Sequence, residues 1–462
     1  MRPAVIILAA GLGTRMRSSL PKALHTLAGK PLIVHVLDAV AGMETERIVL
    51  VVGHQADLVR RAAEGYGVEV VLQEQQLGTG HAVRQAAAAI EGAKGPVMVL
   101  CADTPLLTAS TLGILAEAHA TKRAAVTVMT ARVDDPAGYG RIVRGTSGVM
   151  RIVEEKDATP AQRRITEVNT GIYCFEGPFL LAALGGITNR NAQKEYYLPD
   201  TIALARRQRR RVAAVLCEDA DEAMGINSRA DLSRAERLLQ TRTNRRWMAA
   251  GVTMIDPATV FIGPAATVGR DTVLYPGVRL EGATTLGEGC TVFPGTRIID
   301  SALGNAVTVK DCCLIERSRI ADRAAIGPFA HLRPESVIES GAKIGNFVEV
   351  KKSVIGEGSK ANHLAYIGDA TVGRDVNIGA GVITCNYDGF RKHPTVIEDG
   401  VFVGSDAQLV APVRVGKGAV VAAGATITRD VPPDALALSR VPQENREGVA
   451  SRRKRMKEKK GK

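Results

Sequence analysis

Residues 8–25, LAAGLGTRMRSSLPKALH, follow the apolar run Val5, Ile6, Ile7 and Leu8 and gather Gly11, Gly13, Thr14, Arg15, Arg17 and Lys22 into one turn. A glycine-rich turn lets backbone N–H groups approach an anion closely, and Arg15 and Lys22 add cations to the same region, so the stretch suits phosphate. It is neither of the two common phosphate loops. The third glycine of a dinucleotide-binding G-x-G-x-x-G falls at Met16, and the Gly-Lys-Ser/Thr of a Walker A loop is missing. What remains is chemistry suited to a nucleoside triphosphate that loses pyrophosphate.

Such a loop needs a strand to launch it. From residue 3 to about 228, β-rich runs (PAVIILAA, RIVLVVG, VEVVLQ, GPVMVLCAD, AAVTVMTARV) alternate with helix-like segments such as 79–91 and 108–120. The alternation predicts a Rossmann-like α/β domain with a parallel sheet, whose ligands gather beyond the carboxyl ends of its strands. Next comes SRADLSRAERLLQTRTNRRWMAAG, in which Ser228 and Asp231 form a capping-box pattern and Leu232, Ala235 and Leu239 recur at helical spacing. This predicts a connecting helix that spans roughly 33 Å, enough to separate two domains.

After residue 251 aliphatic side chains recur every six positions: Ile262, Val268, Leu274, Leu280, Leu286, Val292, Ile298, then Ile320 to Val350 and Ile397 to Ile427. A step of six with repeated glycine fits neither a helix nor a plain strand, but it fits a hexapeptide β-helix with the aliphatic residues stacked inside. The period breaks at about 351–371 and 384–396, and both stretches read as insertions on one face that carry binding. The expected division is 1–228, a nucleotidyltransferase domain; 229–250, a helical linker; 251–450, the β-helix; and 451–462, a basic tail.

The charge is +12, but the tail SRRKRMKEKKGK holds a net +7 of it and leaves a mildly basic body. Such runs are usually solvated, and without interleaved aromatic residues this one argues against nucleic-acid binding. Seven cysteines, an odd number with no C-x-x-C, argue against a disulfide framework or zinc ribbon and suit reduced thiols in a cytoplasm. The first residues make too short and too glycine-broken an apolar run for a signal peptide, and no segment has transmembrane length, so a soluble cytoplasmic protein is expected.

The pieces LAAGLGTRM…LPKALH, QEQQLGTGHAV, CADTPLL, GYGRIV, IVEEKDAT, EVNTGIY and GINSRADL occur in the order and spacing of sugar-phosphate nucleotidylyltransferases. With the β-helix, residues 3–445 resemble the family of bifunctional bacterial N-acetylglucosamine-1-phosphate uridyltransferases/glucosamine-1-phosphate acetyltransferases, whose β-helix is left-handed. The resemblance implies that Leu8, Ala9, Ala10, Gly11, Gln73, Gly78 and Thr79 contact the uracil nucleotide. It implies that Gly140, Glu154 and Asn169 hold the N-acetyl sugar and that Asp103 and Asn227 hold Mg²⁺, an ion suited to hard oxygen ligands between two polyanions. Arg15 and Lys22 would stabilise charge during attack on the α-phosphorus of UTP, and no general base is needed because a sugar phosphate is already ionised.

Acetylating an amine does require removing a proton, and His363 in ANHLAYIGDA is the candidate base. Glu349, in NFVEVKKS, is placed to orient the imidazole. The resemblance assigns Arg333, Lys351, Tyr366 and Asn377 to the amino-sugar phosphate, and Ala380, Asn386, Tyr387, Ser405, Ala423 and Arg440 to acetyl-CoA. The NYDG of this set also reads as a turn. The implied sequence is acetylation of glucosamine 1-phosphate in the C-terminal half, then uridyl transfer in the N-terminal half, in a cytoplasmic homotrimer assembled through the β-helix that feeds cell-envelope synthesis. Two rivals are a single-function sugar-1-phosphate nucleotidylyltransferase with a structural β-helix, which generally lacks the His363 and NYDG segments, and a non-catalytic scaffold, against which the intact Arg15, Lys22, Asp103 and Asn227 argue.

Overall fold

The computed structural model describes residues 2–11, 13–439 and 441–460, which form two compact units, Met1–Gln240 and Thr241–Lys462. In the first unit, all five runs read as strands are strands: Ala4–Ala9, Arg47–Val52, Val68–Leu72, Val97–Cys101 and Val126–Arg132. The order across the sheet is Val212–Leu216, Val126–Arg132, Glu167–Phe175, Val97–Cys101, Ala4–Ala9, Arg47–Val52, Val68–Leu72. Alternate residues of the central strand enter two separate cores, Val5 and Ile7 on one face and Ala4 and Ile6 on the other, which is why it reads as a continuous apolar run.

The sheet is not wholly parallel, as the alternation had implied. Glu167–Phe175 runs antiparallel to both neighbours, and the hairpin of Arg141–Gly145 and Gly148–Val153 pairs with it. Its polar Asn169 and Thr170 interrupt the aliphatic pattern, and the pairing shifts register between Asn169 and Tyr173. The helix-like segment 79–91 is two short helices, Thr79–Gln85 and Ala87–Ile90, whereas Ala109–Lys122 is one, capped by the Thr108 side chain.

From Ala4–Ala9 the chain builds two strands to one side and then crosses to Val97–Cys101 on the other. The carboxyl ends of Ala4–Ala9 and Val97–Cys101 therefore flank a topological switch point, where open α/β sheets bind ligands. The connecting helix is Arg229–Ala249. Its capping box forms as expected: the Asn227 and Ser228 N–H groups donate to Asp231 Oδ2 at 2.9 and 2.8 Å, and the Asp231 N–H donates to Ser228 Oγ at 3.2 Å. The division between the two units falls within this helix, after Gln240.

The second unit is the left-handed parallel β-helix of the hexapeptide type. Its described residues form three parallel sheets of eleven, ten and nine strands, each strand two to four residues long. Val273 pairs with Thr291, Thr291 with Thr308 and Thr308 with Ala325, circuits of 18, 17 and 17 residues. Leu280, Ile298, Ile315, Leu332, Val350 and Ile367 stack down one wall, none more than 1% exposed. Burying each such side chain contributes about 1.5–3 kcal/mol.

The step falls from six to five between Ile298 and Leu303, Ile315 and Ile320, Val350 and Ile355, and Ile367 and Val372, always at the corner between the second and third sheets. This corrects one expectation. Residues 351–371 are no insertion, because Lys351 pairs with Gly368, Val354 with Thr371 and Lys360 with Asn377 in an unbroken coil. Two five-residue corners and a buried Ala361 in an aliphatic position disguised the repeat. The second break is real: Thr371 pairs with Val396, a circuit of 25 residues, and the surplus forms a loop in which Tyr387 bridges Lys392.

The basic tail is a helix, Val449–Lys460, exposed from Val449 to Lys457. All seven cysteines are free, and among the described residues no helix is long and apolar enough to cross a membrane.

Candidate functional site

At the switch point, Leu8, Ala9, Ala10, Gly11, Lys22, Gln73, Gly78, Thr79 and Asp103 line one cavity of about 440 Å³. Gln73 is buried, its carboxamide nitrogen 2.9 Å from His81 Nδ1. Gly78 has φ +102°, and a Cβ there would lie 2.7 Å from the Tyr196 carbonyl oxygen, so only glycine lets this loop pack closely. Thr79 Oγ1 accepts the Leu198 N–H at 3.1 Å and pins the same segment.

Charge converges at the mouth. Lys22 Nζ donates to Asp103 Oδ2 and, at 2.8 Å, to Asn227 Oδ1, which also accepts from Arg15 Nη2 at 2.8 Å. Residues 15, 22, 103 and 227 thus meet from three loops. Gly13 sets the geometry: its φ is +60°, and a Cβ would sit 2.7 Å from Lys22 Cβ. The donor set fits a divalent cation. A carboxylate and an amide oxygen, both hard ligands, already converge on one ammonium, and Mg²⁺ generally takes only one or two protein ligands beside phosphates and water.

Gly140, Glu154 and Asn169 form a neighbouring group. The Asn169 N–H donates to the Gly140 carbonyl at 2.8 Å, Asn169 Oδ1 accepts from Tyr173 Oη at 2.9 Å, and a Cβ on Gly140 would lie 3.0 Å from Glu154 Oε1. Burial, reinforced by Asp157, Asp200 and Glu195, pushes the Glu154 carboxyl up to about 7. Gly13 and Thr14 of the glycine turn line the cavity too, whereas sequence reasoning missed Gln76, Cys101 and Glu195, which also line it. Glu195 arrives from a loop with no motif. Burial and the nearby Asp103 push the Cys101 thiol up to about 12, so it stays protonated.

In the β-helix the predicted residues gather in two places. On the second sheet, Arg333 Nη1 donates to Glu349 Oε1 at 2.8 Å, Glu349 pairs with Tyr366, and Lys351 pairs with Gly368. Asn386 swings in from the extruded loop, donating to Asp369 Oδ2 at 2.5 Å and to Tyr366 Oη at 3.5 Å. A Cβ on Gly368 would press on the ends of the Tyr366 and Asn386 side chains, so the missing side chain lets these two close over it. Lys392 of the same loop, unpredicted, lies against Lys351 and pushes its ammonium below the usual lysine range. Two lysines and Arg333 on one small surface suit an anion. The NYDG turn forms as read, with Asp388 Oδ1 accepting the Phe390 and Arg391 N–H groups at 2.7 and 2.6 Å.

The second group is a column along the corner after the first sheet. Ala361 pairs with Ile378, Ile378 with Val403 and Val403 with Val421. His363, Ala380, Ser405 and Ala423 each lie two residues beyond these positions, so they occupy equivalent places in four successive coils. Asn377 pairs with Lys360 and Phe402 on the first sheet, and Tyr387 is exposed on the loop. Arg440 lies outside the described residues.

One expected contact is corrected. The Glu349 carboxylate holds Arg333, and among the described residues it makes no hydrogen bond to His363. The imidazole is held instead by Asn346, whose Oδ1 lies 2.7 Å from His363 Nδ1. The physical reason is register: His363 pairs with Asn346 on the first sheet, whereas Glu349 stands on the second.

Residues 5–254 match the family of MobA-like NTP transferase domains, and residues 394–429 match the bacterial transferase hexapeptide family (six repeats). Full-length relatives are similar as well. The chain is 52% identical to the bifunctional protein GlmU of Trichlorobacter lovleyi, covering 96% of this chain and 97% of that one. It is 53% identical to GlmU of Geobacter metallireducens, over 96% and 98%, and 50% identical to GlmU of Halalkalibacterium halodurans, over 97% and 98%.

Proposed function

The chain belongs to the GlmU family of bifunctional proteins, and from that premise we propose how its residues divide the work. The enzyme acetylates glucosamine 1-phosphate with acetyl-CoA in its β-helix. It then transfers UMP from UTP to N-acetylglucosamine 1-phosphate in its N-terminal half, releasing pyrophosphate and UDP-N-acetylglucosamine. We assign uridyl transfer to residues 1–228, the linker to 229–250, acetyl transfer to 251–450 and no catalytic part to 451–462.

The observation that carries the uridyl site is the convergence of Arg15, Lys22, Asp103 and Asn227 at the switch point. Leu8 to Gly11, Gln73, Gly78 and Thr79 seat the nucleotide, and Gly140, Glu154 and Asn169 hold the sugar. A phosphate oxygen of the sugar attacks the α-phosphorus in line while Arg15 and Lys22 stabilise the charge that passes to pyrophosphate. Mg²⁺ held by Asp103 and Asn227 would neutralise the two polyanions as they meet.

In the β-helix, Arg333, Lys351, Tyr366 and Asn377 hold the amino-sugar phosphate, and Glu349 acts by fixing Arg333. Acetyl-CoA lies along Ala380, Ser405 and Ala423, with Asn386, Tyr387 and Arg440 contributing, and His363 at the head of that column takes the proton of the amine. The N–C bond forms as the C–S bond breaks, and coenzyme A leaves as the thiolate. A general base of this kind is worth roughly 10²- to 10⁴-fold.

We further propose a homotrimer in the bacterial cytoplasm. Supporting an interface, Phe329, Phe347 and Leu364 expose 49, 56 and 61% of their surfaces at one corner of successive coils, with the two rings stacked at 5.2 Å. The test is mass spectrometry of products from glucosamine 1-phosphate, acetyl-CoA, UTP and Mg²⁺, each omitted in turn. UDP-N-acetylglucosamine should form only in the complete mixture. Formation without acetyl-CoA would overturn the reading.

A further inference from the structure

We propose that Asn346 is a positioning residue for acetyl transfer, fixing the tautomer of His363 that can act as base. This rests on the reading of His363 given above. Asn346 and His363 end two neighbouring strands, Lys343–Asn346 and Lys360–His363, and are paired directly across them. The 2.7 Å contact joins His363 Nδ1 to the amide oxygen. An amide oxygen only accepts, so Nδ1 must carry the proton, and the lone pair is left on Nε2. Rotation of the imidazole about its Cβ–Cγ bond is restricted by the same contact, which matters because the ring is otherwise exposed.

Backbone geometry holds Asn346 in place. Gly345, just before it, lies so close to the next coil that a Cβ would come within 1.9 Å of the Asn362 carbonyl oxygen. That close approach brings the ends of the two strands together, and the Leu364 N–H then donates to the Asn346 carbonyl at 3.0 Å. Asn346 is therefore clamped by its backbone on one side and by the imidazole on the other. The charged and titratable groups on the neighbouring strands are Lys343 and Lys360 on the sheet of His363 and Glu349, Lys351 and the Tyr366 phenol on the adjoining one. Glu349 is already engaged by Arg333, so Asn346 is the side chain that sets the proton's place.

The choice of an amide over a carboxylate has a consequence for pH. A carboxylate at this distance would stabilise the imidazolium and raise the pH at which the base becomes free; a neutral amide orients the ring without that penalty.

The experiment uses the full chain, with acetyl transfer followed by release of the coenzyme A thiol from pH 5 to 9. Asn346→Ala should lower kcat about tenfold while changing KM for either substrate less than threefold. The isosteric Asn346→Asp should move the acidic limb of kcat/KM upward by about 0.5 to 1 pH unit. An Asn346→Ala rate within twofold of wild type, or an Asn346→Asp limb that does not move, overturns the proposal. Should Asn346→Ala fail to fold, the Asn346→Asp limb decides alone. His363→Gln separates the two readings: if it keeps full acetyl transfer, His363 is not the base and the underlying assignment fails, whatever Asn346 does.

Discussion

Gly13→Ala tests how the phosphate loop works, because it adds one methyl group beside the chemistry and none to it. The new Cβ would lie 2.7 Å from Lys22 Cβ, where ordinary contacts run from 3.4 to 4 Å, so the two segments must separate by at least about 0.7 Å. The backbone resists as well, since φ +60° costs alanine about 1–2 kcal/mol. Lys22 is the side chain that moves, and its ammonium would lose register with Asp103 and Asn227. A misplacement near 1 Å costs about 10²-fold in rate, so kcat/KM for uridyl transfer should fall roughly 30- to 100-fold, about 2–3 kcal/mol. The assay is pyrophosphate release from UTP and N-acetylglucosamine 1-phosphate, with acetyl transfer by the same preparation as the internal control. A uridyl-transfer rate within threefold of wild type would refute the claim that Gly13 seats Lys22. Equal loss of both activities would show that the substitution acts on folding instead.

Asp103→Asn should cut uridyl transfer at least 100-fold, and chelation with EDTA should abolish it while leaving acetyl transfer intact; a chelator-resistant uridyl activity contradicts the metal assignment. Glu154→Gln reports a buried carboxyl. Because the folded state raises this group from 4.5 to about 7, protonation stabilises the fold at low pH and that stability is lost as pH rises from about 4.5 through 7. The variant should therefore gain thermal stability over wild type progressively across that window, by a few degrees at pH 8, and a pH-independent difference would dismiss the shift. Lys351→Met should raise KM for glucosamine 1-phosphate about tenfold or more with kcat little changed, read from thiol release over substrate concentration. For the assembly, Phe347→Glu should convert the proposed trimer to smaller species in sedimentation velocity, and an unchanged sedimentation coefficient would remove that corner from the interface.

The residues that were legible in the sequence share a physical property: each sits where local backbone chemistry is itself a signal. The phosphate loop announced itself because a buried strand must be apolar on both faces and the turn after it needs glycine, as at Gly13. The capping box at Ser228 and Asp231 was readable because its partners are three residues apart. Glu167–Phe175 was not readable as a strand, since its antiparallel pairing is decided by neighbours remote in the chain. Likewise Glu195 reaches the cavity only through the folding of a loop around Gly78.

The β-helix shows where a periodic sequence stops being informative. Its interior obeys a step of six because each aliphatic side chain must meet the one a circuit below, but the corners face solvent and tolerate five residues, or thirteen between Thr384 and Ile397. Sequence distance along this column therefore varies, 17 residues from His363 to Ala380, 25 to Ser405 and 18 to Ala423, although the four are equivalent in space. The same variability explains why Glu349, 14 residues before His363, passed for its partner while Asn346, 17 residues before it, did not. A circuit of 17 is what this stretch of coil uses, so the residue one circuit back is the one in contact. Once the core positions are aligned rather than counted at fixed period, the hydrogen bond from His363 to Asn346 becomes a consequence of register alone.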